Sequence, residues 1–259
     1  MSELLQELTE LRRRDAEEAE KKCPVPLLRA EASRRRHHSL SDALRYHPAP
    51  RIIAEVKKAS PSAGDLAPHL LPAYVASEYE KAGAAAISVL TEPHRFKGSP
   101  GHLMEVRAAV SLPVLRKDFI STRYQVLEAA AWGADAVLLI AAVMEPRQLQ
   151  LLHRYARDLG LETLVEIHEE SELPAALALE DAVIGVNSRN LKTLEVDLNV
   201  ARLMAAAVPT KRISVAESGI QSHAEIAELA GLGYDGFLVG TRLMGTGTPA
   251  RALRELLGG

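Results

Sequence analysis

An α/β fold, a (β/α)8 TIM barrel with an N-terminal helical extension, is expected for this chain of 259 residues. From residue 51 onward, eight short β-rich runs recur roughly 20 to 30 residues apart, and segments with helical periodicity lie between them. Each helix returns the chain to the same edge, so the strands must pair in parallel. Eight such units favour a closed barrel. An open doubly wound sheet is the alternative, but it usually carries a Gly-rich dinucleotide turn, and AEVKKASPS has none.

The N-terminal segment has its own pattern. Within residues 2–22, four leucines recur at helical spacing between charged residues: Leu4, Leu5, Leu8 and Leu11. This spacing predicts an amphipathic helix, and an apolar stripe of that kind normally docks on another part of a fold. We therefore expect residues 1–259 to form a single domain in which residues 1–48 are a helical extension of the barrel.

The remaining elements alternate along the chain. The predicted strands, in chain order, are RIIAEVKK, AAISVLTE, LPVLRKDF, ADAVLLIAA, LETLVEIH, DAVIGVNSR, KRISVAES and DGFLVGT. The clearest helical segments between them are HLLPAYVASEYEKAG, YQVLEAAAWG, PRQLQLLHRYARDLG and HAEIAELAGLG. Each of these segments closes on a glycine, a residue that commonly terminates a helix.

The composition argues against several classes of partner. A net charge of -3 provides no basic field for nucleic acid or an anionic membrane. The first residues lack the apolar core of a signal peptide, and no run of about 18 uncharged apolar residues is present. The single Cys23 cannot form an internal disulfide, and no Cys/His spacing indicates a metal site. A small-molecule partner, no bound metal and a cytoplasmic location are expected.

Five of the predicted strands turn polar at their C-terminal ends on one face. Side chains alternate along a strand, so residues of equal parity share a side. The carboxyl ends of all strands in a parallel barrel meet at one mouth, where the active sites of this fold are built. The polar side chains expected at this mouth are Glu55, Lys57, Lys117, Glu166, Asn187 and Glu217.

These charges have two interpretations. Any one of them alone could equally be a strand-end charge solvated at the rim. Burying an unpaired Lys or Glu is costly, so the convergence of five strands favours a mutually neutralising site whose perturbed pKa values suit proton transfer. His168 ends the fifth strand and is interpreted as a rim residue rather than a metal ligand. Asp65 and Asp118 are assigned to loop or cap positions.

A second constellation follows the last two strands. AESGIQSHAE and VGTRLMGTGTPARAL each contain a glycine turn that leads toward a helix, Gly219 in the first and Gly240 in the second. Free amides at a helix start bind anions, and in barrels the loops after strands seven and eight frequently hold phosphate. The first loop adds the cation of Lys57 and the hydroxyl of Ser60. Either glycine alone could be a simple turn residue, but together they predict a phosphorylated ligand.

The segments AEVKKASPS, SVLTE, LRKDF, LVEIH, GVNSRNL, AESGI and FLVGT occur in this order. The set closely resembles the indole-3-glycerol-phosphate synthase family of tryptophan biosynthesis, from about residue 5 to the end. Members of that family are barrels with a helical extension near the catalytic mouth, and they need no metal or organic cofactor. The resemblance implies a carboxy-lyase that acts on 1-(2-carboxyphenylamino)-1-deoxyribulose 5-phosphate by ring closure, decarboxylation and dehydration. A monomer is expected, and a monofunctional one, since no second barrel follows.

The resemblance also implies roles for individual residues. The lysine that matches Lys117 is the general acid that protonates the ketone oxygen during ring closure. Glu166 matches a glutamate in acid/base work, and Lys57 matches a lysine that contacts the substrate carboxylate and donates a proton during dehydration. Either Glu55 or Glu166 is the base in dehydration, and the residues implied to orient these groups are Glu55, Asn187 and Glu217.

The implied substrate contacts form two groups and two further residues. The phosphate would lie against Ser60, Gly219, Gly240 and Thr241. The aryl ring would lie against Phe96, Phe119 and Leu138. The remaining substrate-binding positions are Arg189 and Ser218. Phe96 could equally be a loop-packing residue. Thr241 stands where the family commonly has Ser and keeps the hydroxyl, whereas Ala63 stands where a Lys is usual and removes a loop cation.

Two rival functions stay open from the sequence. A sugar isomerase on a phosphate-binding barrel would share the last two loops, but such enzymes usually rely on an Asp or Cys acid/base pair. A binding protein without turnover would keep the pocket alone. The presence of Lys117, Glu166 and Lys57 argues against both.

Overall fold

The computed structural model describes residues 3–32, 37–61, 64–67, 69, 71–190 and 192–259, so Ala63 lies outside the described residues. The barrel is closed and parallel: each strand pairs with its neighbours in sequence, and the last strand pairs with the first. The predicted (β/α)8 architecture is confirmed, and the open sheet is wrong. The strands are β1 Ile52–Val56, β2 Ala86–Leu90, β3 Val114–Lys117, β4 Ala136–Ile140, β5 Glu162–Ile167, β6 Val183–Asn187, β7 Ser214–Glu217 and β8 Gly236–Val239.

Helices precede the barrel and separate its strands. They are α1 Glu3–Lys22, α2 Val25–Ala32, α3 Leu40–Tyr46, α4 Pro72–Ala82, α5 Pro100–Ala109, α6 Arg123–Trp132, α7 Pro146–Asp158, α8 Leu173–Leu177, α9 Asn199–Ala205, α10 His223–Gly231, α11 Thr241–Met244 and α12 Pro249–Leu257. Short 3-10 turns at Ala141–Val143 and Glu170–Glu172 follow β4 and β5. A two-residue antiparallel ladder, Ala59–Ser60 with Gly64–Asp65, follows β1.

Glycines close the predicted helices as expected, with small shifts. Gly83 and Gly133 lie directly after α4 and α6 in the left-handed conformation, with φ of 99° and 92°. Both α7 and α10 end slightly before their glycines, and Gly160 and Gly233 take up positive φ in the turns that follow. In each case a left-handed turn lets the chain leave the helix toward the next strand.

The strands separate two apolar layers. Inside the barrel, alternate residues of successive strands pack together, among them Ile53, Leu115, Leu164, Val215 and Leu238. The residues of opposite parity, such as Ile52, Val165 and Ala216, pack against the surrounding helices. The predicted parity of the strands is therefore confirmed, and the inward rows lead to the polar residues at the carboxyl ends.

Helix α3 closes the amino-terminal end of the barrel. Leu40 and Leu44 are fully buried within the interior layer. Gly236, the first residue of β8, leaves room for this plug, because a Cβ atom there would lie 2.5 Å from Leu44 Cδ2. Glu162 of β5 holds the helix start: its Oε1 accepts from Ser39 Oγ at 2.7 Å, and its Oε2 accepts from the Ser41 amide at 2.7 Å.

Helix α1 lies over the opposite, carboxyl-terminal end. Leu5 and Leu8 of the predicted stripe are buried, so the amphipathic helix is confirmed. Among the described residues, none of the helices combines the length and the apolar character that a membrane crossing requires.

Leu44→Ala tests the plug. We expect the free energy of unfolding to fall by about 3 kcal/mol, because a fully buried leucine leaves a cavity that the barrel wall cannot fill. Chemical denaturation monitored by circular dichroism measures the change. The matched control is Leu203→Ala, since Leu203 on α9 is 77% exposed and its loss should change stability by no more than about 0.5 kcal/mol. Equal effects of the two substitutions would contradict the plug.

Candidate active site

A cavity of about 470 Å³ opens at the carboxyl-terminal end of the barrel under α1. Every site residue predicted from the sequence lines it except Glu217: Glu55, Lys57, Ser60, Phe96, Lys117, Phe119, Leu138, Glu166, Asn187, Arg189, Ser218, Gly219, Gly240 and Thr241. Glu217 lies behind Lys117 and is fully buried. The convergence predicted from strand parity is therefore observed.

Glu55 bridges the two lysines of the cavity. Its Oε1 is 2.7 Å from Lys57 Nζ, and its Oε2 is 3.6 Å from Lys117 Nζ. Burial raises the pKa of Glu55, but the charges of Lys57 and Lys117 outweigh burial and leave it below the ordinary value. The carboxylate is ionised, so each ammonium group has a compensating charge.

Lys117 is enclosed by carboxylates. Its Nζ donates to Glu217 Oε2 at 2.8 Å. Burial lowers the pKa of Lys117, yet the surrounding Glu217, Glu55 and Glu166 outweigh burial and hold it above the ordinary value. Lys117 therefore carries a proton at neutral pH and is available as an acid.

Glu217 differs from its neighbours because it is short of donors. Burial raises its pKa, Lys117 lowers it and the Glu166 carboxylate raises it again, so that the pKa reaches about 7. Its Oε1 is buried and receives no hydrogen bond from the described protein groups. Gly185 on β6 makes the space that Glu217 occupies, since a Cβ atom there would lie 2.1 Å from Glu217 Oε1. A larger residue would displace the carboxyl group.

Glu166 stays ionised. Burial raises its pKa, but His168, Lys117 and Asn187 together lower it to about 2. His168 Nε2 lies 3.1 Å from Glu166 Oε1, outside the cavity wall among the described residues. His168 therefore lies beside the site, next to Glu166.

The two turns predicted to bind phosphate, after β7 and after β8, differ in structure. Ser218 and Gly219 adopt positive φ, 65° and 89°, in a tight turn at the cavity wall. At the start of α10, Ser222 and Glu225 form a capping box that occupies the amides of these two residues. The start of α11, after Gly240, has no side-chain cap.

Gly240 brings the end of β8 close to the lysine side. A Cβ atom at this position would lie 2.0 Å from Glu55 Oε1 and 3.1 Å from Lys57 Nζ. Lys57 Nζ also donates to Thr241 Oγ1 at 3.2 Å. The cation, the hydroxyl of Thr241 and the glycine turns therefore border one region that suits a phosphate group.

Part of the cavity wall is apolar. The Phe96 and Phe119 ring centroids are 6.2 Å apart with planes inclined at 42°. Glu92 holds the Phe96 loop by accepting from three successive amides, including that of Phe96 at 2.8 Å. Side chains that the sequence reasoning did not assign to the site complete the wall: Leu4, Leu5 and Leu8 of α1, and Leu194, Val196 and Leu198 after β6. The leucine stripe of α1 was the available signal for the first three.

Asp118 is a further residue whose role the sequence did not reveal. Asp118 does more than shape the loop after β3. Its carboxylate accepts hydrogen bonds from Arg12 Nε at 2.9 Å, Thr91 Oγ1 at 2.7 Å and Arg116 Nη2 at 2.9 Å. Arg116 stacks over the Trp132 ring at 4.3 Å. Asp65 instead pairs with Lys97 between two loops of the rim, at 2.5 Å. The Arg12–Asp118 pair ties α1 to the residue that follows Lys117.

Asn187 and Arg189 form hydrogen bonds within the loop after β6. Arg189 Nη1 donates to the Leu194 carbonyl at 2.7 Å, and the Arg189 amide donates to Asn187 Oδ1 at 3.0 Å. Burial lowers the pKa of Arg189, although Glu55 raises it.

Within the described part of the chain, no three His, Cys, Asp or Glu side chains cluster as a metal site would require.

A closed parallel barrel with paired lysines and glutamates at the carboxyl ends of its strands defines this protein as a TIM-barrel enzyme with an acid/base site. The comparison with family models is specific: the model described as indole-3-glycerol phosphate synthase matches residues 5–256. The chain belongs to the indole-3-glycerol phosphate synthase family.

Individual relatives agree with this assignment. The indole-3-glycerol phosphate synthase of Burkholderia vietnamiensis is 44% identical over 259 residues, covering 99% of both chains. That of Sulfurimonas denitrificans is 47% identical over 206 residues, which are 80% of this chain and 78% of the relative.

Solved structures share the fold at low identity. A thiamine phosphate pyrophosphorylase from Pyrococcus furiosus superposes with a TM-score of 0.61 at 18% identity, over 84% of this chain and 96% of that one. A chain of the tryptophan synthase complex from a hyperthermophile, also Pyrococcus furiosus, gives 0.61 at 15% identity, over 80% and 98%. These similarities concern the barrel alone.

Arg12→Met tests the attachment of α1. The substitution removes the Arg12 contacts of Asp118 but leaves it the donors Arg116, Thr91 and the Phe119 amide, so we expect the free energy of unfolding to fall by about 2 kcal/mol. Arg13→Met is the matched control, because Arg13 makes its ion pairs with Glu10 and Glu17 at the surface, where such pairs contribute no more than about 1 kcal/mol. Urea titration compares the two variants, and indistinguishable midpoints would contradict the assigned importance of the buried pair.

Proposed function

We propose that this chain converts 1-(2-carboxyphenylamino)-1-deoxyribulose 5-phosphate into indole-3-glycerol phosphate, carbon dioxide and water, as the name of its family indicates. The observation that supports the proposal most directly is the buried Lys117–Glu217 pair, with 2.8 Å between Nζ and Oε2, in a cavity with an apolar wall and a glycine turn. The cavity offers an acid for a carbonyl, a surface for an aryl ring and a seat for a phosphate.

Ring closure requires an acid. The ring carbon that bears the carboxylate attacks the ketone carbon, a carbon–carbon bond forms, and the ketone oxygen takes a proton. Lys117 is the proposed donor, since its ammonium form persists at neutral pH and the developing alkoxide is a far stronger base than an amine. Glu217 and Glu55 hold the ammonium group in place. Loss of carbon dioxide then restores the aromatic ring.

Dehydration requires an acid and a base. The hydroxyl formed in the first step leaves as water after taking a proton, and a base removes a proton from the neighbouring carbon next to nitrogen. Lys57 is the proposed acid, because its ammonium group lies in the cavity beside Glu55. Glu166 and Glu55 are both ionised and both reach the cavity, so either supplies the base in this scheme.

Binding divides between the two sides of the cavity. Phe96, Phe119 and Leu138 would contact the aryl ring, with the leucines of α1 above it. The phosphate would lie among Ser60, Gly219, Gly240 and Thr241, near Lys57, while Asn187, Arg189 and Ser218 would contact the hydroxyls between. Because the cavity includes side chains from α1, we also infer that residues 1–259 work as one domain. A monomeric state and a cytoplasmic location stay predictions from the sequence.

The reaction can be tested directly. Purified protein is mixed with the carboxyphenylamino ribulose phosphate, and indole fluorescence is followed while the product mass is recorded. We expect fluorescence to rise with the loss of one carbon dioxide and one water. A sugar isomerase would conserve the mass, and a binding protein would give no product. The absence of indole at micromolar enzyme would end the proposal.

Lys117→Ala tests the proposed acid. We expect kcat to fall by about 10³-fold, within the range that a positioned acid contributes, while the substrate dissociation constant changes little, because the acid acts in the transition state. Fluorescence measures turnover, and calorimetry measures binding to the inactive variant. Lys81→Ala, on the exposed side of α4, should match the wild type. Near-normal turnover of the Lys117 variant would make the assignment wrong.

A further inference from the structure

His168 occupies a position that the proposed reaction does not use. It directly follows β5, and its ring lies between two carboxylates: Nε2 is 3.1 Å from Glu166 Oε1, and Nδ1 is 3.8 Å from Glu172 Oε2. Glu172 Oε2 also accepts from the His168 amide at 2.7 Å, which fixes the turn after the strand. The ring is largely buried and, among the described residues, is not part of the cavity wall. His168 can therefore influence the site only through Glu166.

The charges around the ring favour its protonated form. Burial lowers the pKa of His168, but Glu166 and Glu172 outweigh burial and raise it to about 9. An imidazolium here compensates the charge of both carboxylates, at 3.1 Å from Glu166 and 3.8 Å from Glu172. Neither ring nitrogen makes a hydrogen bond of ordinary geometry with a described group, so the interaction is one of charge. A neutral ring would leave Glu166 with less compensation in a buried place.

Glu166 faces other groups as well. The groups directed at it across the barrel are Lys117 on β3, Asn187 on β6 and Glu217 on β7. Lys117 also serves Glu217 and Glu55, so its charge is shared among three carboxylates. After burial, the contacts with His168 are the largest influences on the pKa of Glu166. The two buried glutamates thus differ in their partners: Glu166 lies beside His168, whereas among the described residues Lys117 is the cation that pairs with Glu217.

We propose that His168 is a positioning residue whose imidazolium, placed between Glu166 and Glu172, keeps Glu166 ionised as the base of the site. This inference rests on the proposed function and selects Glu166 over Glu55 as the base in dehydration. It makes the pH range of the reaction depend on a side chain that does not touch the substrate.

His168→Asn removes the charge beside Glu166. The shorter amide ends near the place of Nδ1, carries no charge and does not reach Glu166, so the pKa of Glu166 rises and its base form is lost at a higher pH. We expect the acid limb of the kcat/KM profile to move up by about one to two pH units, in line with the loss of an opposite charge at this distance. Because the wild-type pKa of Glu166 is about 2, a shift of this size places the acid limb of the variant at about pH 3 to 4, so the rate at pH 3 falls by about two- to tenfold while the rates at pH 6 and pH 8 change little. An acid limb that superimposes on that of the wild type would overturn the proposal.

His153→Asn is the matched control. His153 also contacts β5, through Nδ1 at 2.8 Å from Thr163 Oγ1, but on the helix-facing side of the strand. The same substitution there should leave the acid limb in place. If both variants shifted equally, a general effect on β5 would explain the result, and the proposed role of His168 would be wrong.

A second measurement does not need turnover. The ring nitrogens of the nine histidines are observed by nitrogen NMR in labelled protein, and the His168 signals are those missing in His168→Asn. We expect His168 to stay doubly protonated at pH 7.5 with a midpoint near 9. Glu172→Gln should lower that midpoint by about one pH unit or more.

The two proposals fail in different ways. A neutral His168 ring at pH 7.5 would overturn the proposed role of His168 even if the protein produced indole at full rate. A protein that made no indole but kept a protonated His168, sensitive to Glu172→Gln, would instead contradict the proposed reaction.

Discussion

The structure depends on keeping the ammonium group of Lys117 charged inside the barrel. An unpaired ammonium in a protein interior would lose its proton or destabilise the fold. Here Glu217 and Glu55, from strands on either side of the barrel, lie 2.8 and 3.6 Å from Nζ. Because those carboxylates need compensation in turn, Lys57 pairs with Glu55. The charges of these four side chains therefore compensate one another inside the barrel.

Strand alternation divides LRKDF between two networks. Lys117 points into the barrel, whereas its neighbours Arg116 and Asp118 belong to the buried ion pairs outside the strand. Arg12 of α1 joins that outer network at Asp118. The same helix covers the cavity with its leucines. Asp118 directly follows Lys117 and binds Arg12, so the N-terminal extension is linked to the end of β3. LRKDF carries charged residues because Lys117 serves the cavity and Asp118 serves this buried network.

Much of the site could be predicted because the parity of each strand is read from a short segment, and the barrel topology then brings the strand ends together. Once β1, β3, β5 and β7 were identified, their inward residues had to meet at one end. Asp118 could not be assigned in this way, because its partner Arg12 is 106 residues distant and only the docking of α1 brings the two together. The spacing of Ser222 and Glu225 indicates a helix start, but only the folded geometry shows that the amides of these two residues are occupied by a capping box.

The sequence by itself determined the eight-unit barrel, the family and the set of side chains at the mouth, since all of these follow from periodicity and from motifs within short segments. Only the tertiary structure decided how those side chains share charge. The distances that make Glu166 ionised and leave Glu217 short of donors join residues on different strands, with His168 on one side and Gly185 making room on the other. The strength of an interaction between charges depends on their separation and burial, and no pattern along the chain encodes the separations between residues on different strands.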